Sequence, residues 1–414
     1  LTDFASMTLR KTTEKQYTSE LVPWSNGVKV YAKTPFKSPW RIIIIGDNPG
    51  DLATATITLN LNEPCALDDV SWIEPMKYVG IWWGMHIGTE TWKEGERHGA
   101  TTENAKRYID FAGENGIKGF LAEGWNSGWE NWGKERAFDQ VTPAGDYNLD
   151  EVIQYCREKG VEYIGHHETG GDVQYYEELM DSAFSLLNQK GVKALKTGYA
   201  GGIIPRGHYH HGQFMVRHYR KVVETAAKYH IMINAHEPIK ATGIRRTWPN
   251  MMTREGVRGM EWNAWSSGNP PEHHTIVPFT RMLGGPIDYT PGTFDILIKR
   301  YEDKRTHWNS PDTLKTRIHT TLAKQLALYV VFYSPWQMAS DFPENYDHEA
   351  FSFIQEVPVN WERTVVLNGE IGEYLTIARK SGDDWFIGGL TDENPRDITI
   401  SFDFLDEDGV YEAV

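Results

Sequence analysis

YHIMINAHEPIKATGIRRTWPNMMTREGVRGMEWNAW, residues 229–265, carries three glutamates in apolar, aromatic and glycine-rich surroundings, and the way those acids are delivered decides the fold. HIMIN is a short apolar run suited to a strand buried on both faces, and it ends in His236 and Glu237 followed at once by Pro238. A second run, GVRGMEWNAW, reads as another strand that delivers Glu261 and Trp262, with Glu255 in the connection before it. Two neighbouring strand ends that carry acids predict one shared pocket. A glutamate on a surface needs no explanation in a chain with 57 acidic residues, but one that closes an apolar strand between His and Pro does. Carboxylates are rarely buried without a partner or a task.

On either side of this stretch, short apolar segments alternate with amphipathic helical ones. KYVGIWWG, KGFLAEGW, EYIGHHE, VKALKTGY, HIMINAHE, RGMEWNAW, PIDYTPG and YVVFYSPW read as eight strands. Between them lie helices such as TTENAKRYIDFAGENG, which opens on a Thr cap and ends on Gly, and LDEVIQYCREKG, which ends on Lys and Gly. Eight such units in about 280 residues have the size of a (β/α)8 barrel, whose active sites lie at the C-terminal ends of the strands. The expected fold is thus α/β, with a TIM-type barrel over residues 71–362 flanked by β domains. Residues 1–70 hold the runs VKVYAKT, WRIIIIG and ATATITLNL, which read as strands of a preceding β domain and its linker. Residues 363–414, with EYLTIARKS, DWFIGGLT and DITISFDFL around the turn DENPRD, read as a small antiparallel β domain. The first residue is Leu1 within apparent domain sequence, so the expectation is a chain that begins partway through a longer protein. The last domain breaks off at Val414 and is expected to be incomplete.

Composition narrows the partners. Sixteen Trp and 20 Tyr supply flat surfaces on which sugar rings stack, although aromatic residues also simply fill cores. A formal net charge of −15 argues against nucleic acid and anionic membranes. Cys65 and Cys156 are the only cysteines and form no CxxC, so neither a disulfide framework nor a zinc site is indicated. No apolar run approaches the roughly 18 residues of a membrane span, and LTDFASMTLRKTTEK lacks the apolar core of a signal peptide.

Further strand ends bring more candidates to the same rim. GHHETGG places His166, His167 and Glu168 before a glycine pair; alternation along the strand gives His166 and Glu168 one direction and His167 the other. LKTGYAGG presents Lys196 but no carboxylate, and Gly198 leaves room. LAEGWNSGWENWG crowds Glu123 with Trp125, Trp129 and Trp132, and IRRTWPN supplies Arg245 and Arg246 to balance acids or tie loops together. Several carboxylates in one pocket repel and raise one another's pKa until a shared proton or a hard cation relieves the charge. That combination serves glycoside hydrolysis, in which one protonated carboxyl donates to the leaving oxygen and another carboxylate attacks the sugar or activates a water.

IGDNPGDL, LNLNEP, KYVGIWWGMH, GFLAEGWNSGWENW, NAHEPIKATGIRRTWPN and REGVRGMEWNAW together resemble family 97 of the glycoside hydrolases, over essentially the whole chain. The resemblance implies a (β/α)8 barrel between an N-terminal β-sandwich and a C-terminal β domain, with calcium in the active site. It places the general acid on Glu261, a calcium-binding acid that also faces the attacking water on Glu237, the other base of inverting members on Glu168, and a further calcium ligand on Glu255. Glu261 also approaches the calcium in this scheme. His166, Lys196 and His236 match substrate contacts, and His167 joins them as a candidate. Retaining members carry an aspartate nucleophile at the end of the fourth strand, where this chain has Gly198, so it resembles the inverting branch acting on starch-derived oligosaccharides. The family's calcium site also draws an acid from the N-terminal domain, and no such segment is in this chain. Relatives are secreted into the periplasm of Gram-negative bacteria. Two other readings stay open: a retaining α-galactosidase of the same family, and a sugar-binding protein without catalysis.

Overall fold

The structure, a computed structural model, describes residues 7–306, 316–407 and 409–414. Its first elements are a hairpin of β1 (Met7–Thr13) and β2 (Gln16–Leu21). The barrel strands follow: β3 (Met76–Ile81), β4 (Gly119–Ala122), β5 (Glu162–Glu168), β6 (Ala194–Gly198), β7 (Met232–Ala235), β8 (Met251–Arg254) and β9 (Trp336–Ala339). They form one parallel sheet in the order β8-β7-β6-β5-β4-β3-β9. An eighth stave fills the gap between β8 and β9. Arg254 and Ile287 form a parallel bridge. Asp288 N donates to Arg254 O at 3.0 Å, and Ile287 N to Tyr333 O at 2.9 Å. The PIDYTPG segment therefore closes the barrel as the sequence predicts.

These strands are short and almost wholly buried because helices cover them outside while side chains fill the interior. Helix Thr102–Glu114 shows why the alternation was readable. The Thr101 hydroxyl accepts from Asn104 N at its start, and Ala105, Tyr108, Ile109 and Ala112 recur at helical spacing on its buried face. Helix Leu149–Glu158 is capped by Asn148, again with one buried stripe.

Two barrel expectations are corrected. RGMEWNAW is not a strand: the sixth strand is MMTR of β8, Gly256 turns the chain with φ +57°, and residues 262–265 form one helical turn begun by Glu261. Glu255, not Glu261, therefore closes that strand. YVVFYSPW begins inside helix Leu322–Val331, and its strand starts only after Pro335. A fully apolar run has no period to tell a buried helix from a buried strand. The capping Thr321, whose hydroxyl accepts from Lys324 N, is the signal that resolves it.

The N-terminal strand assignments also fail. VKVYAKT, WRIIIIG and ATATITLNL form no strand among the described residues, and residues 57–60 are a helical turn. Ile43 and Ile45 are 85% and 87% exposed, so the apolar alternation there has no neighbouring strand to pair with or face to bury. Residues 22–75 instead run along the barrel, held by contacts such as Trp24 Nε1 to Gln213 Oε1 at 2.9 Å.

At the other end β10 (Arg363–Glu370), β11 (Tyr374–Ser381) and β12 (Asp384–Thr391) make an antiparallel meander. It includes the two expected strands EYLTIARKS and DWFIGGLT, adds β10, and leaves DITISFDFL outside any strand. The meander packs on helix Leu322–Val331. A Cβ at Gly388 would stand 2.8 Å from Val330 Cβ, and Arg379 Nε donates to Val330 O at 2.6 Å.

Candidate active site

At the C-terminal end of the barrel opens a cavity of about 1190 Å³. Glu123, His166, Glu168, Lys196, Gly198, His236, Glu237, Glu255 and Glu261 all line it. The acids read from separate strand ends are thus brought together as one constellation. His167 is not. It points outward, with Nδ1 3.0 Å from the Tyr176 hydroxyl and its ring stacked on Phe184, both on helix Val173–Gln189. Its candidacy as a substrate contact is corrected by the same two-residue alternation that carries His166 and Glu168 inward.

Glu168 is held by the backbone of two strand ends. Its Oε1 accepts from Thr169 N at 2.8 Å, Gly170 N at 2.7 Å and Ala200 N at 3.2 Å. Its other oxygen lies over Gly198, where a Cβ would stand only 2.3 Å away. The glycine at the end of β6 is therefore space for the carboxylate of the neighbouring strand. Glu237 sits at φ +45°, a left-handed conformation uncommon for a residue with a side chain. That turn lets its Oε2 accept from Tyr199 N at 2.7 Å while its own N–H donates to Glu255 Oε2 at 3.1 Å. Glu261 finds room in the same way as Glu168, since a Cβ at Gly259 would lie 2.6 Å from Glu261 Oε2.

The titratable groups fall into two sets. Burial and then the facing Glu237 push Glu168 up to about 8, against the pull of its backbone N–H donors. Burial and the Glu255 charge push Glu237 up to about 8 as well. Burial raises Glu255 and Glu261 to about 7, and the two side chains hydrogen-bond each other. In the second set, burial works to raise Glu123, but Lys196, His166 and His86 hold it well below the usual carboxylate range. Lys196 Nζ donates to Glu123 Oε1 at 3.0 Å and stays charged. Asp288 is likewise held low against burial by His236, whose Nε2 lies 2.7 Å away, and by Asn234. One half of the pocket is thus ionised and paired, and the other half holds four acids with more negative charge than their surroundings balance.

Asp288 is the residue that the sequence reading missed. It lies within PIDYTPG, a segment read as a strand, and an acid inside an apolar strand is the same signal that exposed Glu237. The sequence places Glu123 only at the rim, whereas in the structure it is the counter-charge of Lys196. The tryptophans divide. Trp125 is buried and donates to His166 O at 2.6 Å, while Trp129 and Trp132 lie nearly parallel with centroids 5.9 Å apart and line the cavity.

A hard cation would suit the unbalanced half, where Glu237, Glu255 and Glu261 offer carboxylate oxygens and each is raised by burial and a neighbouring acid. Among the described residues no three His, Cys, Asp or Glu side chains are already grouped so as to hold an ion. The donor chemistry, three buried carboxylates with unbalanced charge, fits calcium. Among the described residues no helix is long and apolar enough to cross a membrane.

Comparison with known proteins gives concordant matches. The sequence model for glycoside hydrolase 97 matches residues 82–257, the N-terminal model of the same family residues 1–64, and its C-terminal model, described as serving oligomerisation, residues 360–414. The chain is 32% identical over 384 residues to a retaining alpha-galactosidase of Bacteroides thetaiotaomicron, covering 90% of this chain and 52% of that one. It is 30% identical over 371 residues to a probable retaining alpha-galactosidase of Streptomyces bingchenggensis, covering 87% and 50%. In structure it resembles a Glycoside Hydrolase Family 97 enzyme of Pseudoalteromonas sp. strain K8 in complex with acarbose, with a TM-score of 0.91 and 47% identity over 99% of this chain and 63% of that one. A glutamate-to-glutamine variant of that enzyme in complex with panose gives 0.92. The chain spans about half the length of the curated relatives it matches.

Proposed function

The chain belongs to glycoside hydrolase family 97, and from that premise we propose that it is a calcium-dependent, exo-acting hydrolase that releases glucose from α-glucosides, such as starch-derived oligosaccharides, with inversion. The observation that carries this reading is Gly198 under Glu168. A nucleophilic aspartate on β6 would have to occupy the space that the Glu168 carboxylate fills, 2.3 Å from the position of a Cβ. A carboxylate set back on the neighbouring strand suits activation of a water rather than direct attack. The glucoside assignment is supported by the acarbose and panose complexes of the Pseudoalteromonas enzyme, the relative at 47% identity.

In this mechanism Glu261 is the general acid. Raised to about 7, it keeps a proton near neutrality to donate to the departing glycosidic oxygen. Glu168 or Glu237 takes the proton of the attacking water on the opposite face. His166, Lys196 and His236 orient the sugar, the last two held in place by Glu123 and Asp288. Glu237, Glu255 and Glu261 would hold calcium, which when bound supplies positive charge that favours the ionised forms of Glu237 and Glu255 and orients substrate hydroxyls, while Glu261 contributes to the site with its proton retained.

A second reading, the retaining α-galactosidase, is favoured by the names of the curated relatives at 32% and 30% identity. It requires a carboxylate in contact with the anomeric carbon. Proton NMR of the full-length protein hydrolysing aryl α-glucoside and aryl α-galactoside separates the two readings on both counts. The proposal expects the α-glucoside to be the better substrate and β-glucose to appear first. An α-anomer as the first product, or preferential turnover of the galactoside, would replace it with the second reading.

A further inference from the structure

A second, much smaller cavity of about 20 Å³ shares no lining residue with the sugar cavity. It lies between β8 and the loops at residues 241–245 and 284–286, with Arg245, Thr253, Arg254, Gly284 and Pro286 in its wall. Arg254 is the unusual member. It is only 5% exposed, yet among the described residues no carboxylate pairs with it and its guanidinium donates no hydrogen bond, leaving Nη1 buried without a partner. The adjacent Arg281 shows the ordinary solution, donating to the carbonyl oxygens of Glu255 at 2.8 Å, Arg254 at 2.8 Å and Pro286 at 3.2 Å. Arg245 gives one hydrogen bond, to Gly284 O at 3.2 Å. Its charge and that of Arg254 repel: burial first and Arg245 among the neighbouring charges bring Arg254 down to about 10.

A permanently charged guanidinium is rarely kept inside a protein without an opposite charge. Here the buried Arg254 and the half-buried Arg245 border one void, and the void has room for a single small species. Sulfate, phosphate and sugars are too large for it, and a divalent cation is excluded by the sign of its wall. We propose that this cavity binds one small monovalent anion, chloride under physiological conditions, between the guanidinium groups of Arg254 and Arg245. The anion would tie the 241–245 loop to the end of β8, the strand that delivers Glu255. A water could fill the volume but would leave both positive charges unbalanced.

The test uses the full-length protein at fixed ionic strength, with chloride exchanged for gluconate, and reads thermal stability together with diffraction from bromide-soaked crystals. Chloride is expected to raise Tm saturably by about 2–4 °C over gluconate, sulfate to give no such gain, and bromide to produce one anomalous peak within reach of Arg254 Nη1. Arg254→Met should abolish the chloride dependence. If that variant does not fold, Arg245→Gln and the wild-type bromide peak decide the matter. Equal Tm in chloride and gluconate, or a cavity holding only water in bromide, would overturn the proposal whatever sugar the enzyme cleaves.

Discussion

Replacing Gly198 with alanine tests the arrangement of the base by adding a single methyl group. Gly198 has no left-handed backbone to strain, so the change acts only through the space it fills. The new Cβ would stand 2.3 Å from Glu168 Oε2 and 3.0 Å from its Cδ. Ordinary van der Waals contact needs about 3.4 Å or more, so the carboxylate must retreat by about 1 Å. It cannot do so freely, because its other oxygen is held by the N–H groups of Thr169, Gly170 and Ala200. Hydrogen bonds to a charged group contribute about 1.5–3 kcal/mol each, so the strain divides between lost backbone contacts and a misplaced carboxylate. A displacement of about 1 Å in a reacting group costs about 10²-fold in rate, equivalent to about 2.7 kcal/mol of barrier. Overpacking should lower stability by a further 1–3 kcal/mol or so. The assay is kcat/KM on an aryl α-glucoside, with Tm and circular dichroism as controls and Glu168→Gln as comparator. The expectation is a folded protein whose activity falls about 10²-fold, at the same step as in the comparator. Unchanged kcat/KM in a folded Gly198→Ala protein would refute the placement of the base on Glu168.

Glu261→Gln keeps the shape of the side chain and removes its proton, so kcat should fall about 10²–10⁴-fold on unactivated glucosides and much less on aryl glucosides with acidic leaving groups. Equal losses on both would point to a different acid. In the chelated protein, the stability contributed by Glu168, Glu237, Glu255 and Glu261 should be fully present below about pH 4.5 and be lost as pH rises through about 7 to 8, because these acids bind their protons more tightly folded than unfolded, whereas the stability from Glu123 and Asp288 is lost on acidification. Added calcium should flatten that decline and restore activity lost to chelation; identical Tm profiles with and without calcium, or full turnover in excess chelator, would count against the metal. His167→Phe should lower Tm through its lost contact with Tyr176 while leaving KM unchanged, and a selective rise in KM would return His167 to the substrate.

The barrel was legible because each of its strand ends carries a local signal. Glu237 before Pro238, Glu168 before a glycine pair and Lys196 two residues before Gly198 each mark where an apolar run stops at a polar rim. The same logic failed where a run was read too far. Reading GVRGMEWNAW as one strand puts Glu261 at its end, but Gly256 has already ended β8 and only a helical turn follows. The pocket was assembled correctly despite this because loop and strand end converge on one cavity. Nothing local could show that Glu168 leans over Gly198, since that contact joins residues 30 apart across a parallel pair. The exposed isoleucines of WRIIIIG show the converse limit: β-branched alternation describes a chain that can pair, and pairing depends on a partner strand.

The division of charge across the pocket connects these points. Glu123 and Asp288 are ionised because a cation or a hydrogen-bonded imidazole stands against each, and they hold Lys196 and His236 in place through contacts of 3.0 Å and 2.7 Å. Among the described residues the remaining acids have no lysine or arginine in contact, and each is raised by burial with at least one neighbouring acid adding to it, against the pull of His236 in the case of Glu255. A hydrolase that needs an acid and a base at the same pH must separate two such carboxyls, so equal elevation of all four would be a poor final state. Positive charge bound on the side of Glu237 and Glu255 would lower those two most and would offset the Glu237 charge that adds to burial in raising Glu168. Glu261, whose carboxyl shares a hydrogen bond with Glu255, would then be the group asked to retain a proton. The alkaline limb of the activity profile should accordingly follow Glu261 and the acidic limb the base, and Glu261→Gln should erase the alkaline limb alone. Loss of the acidic limb instead would reverse the two roles.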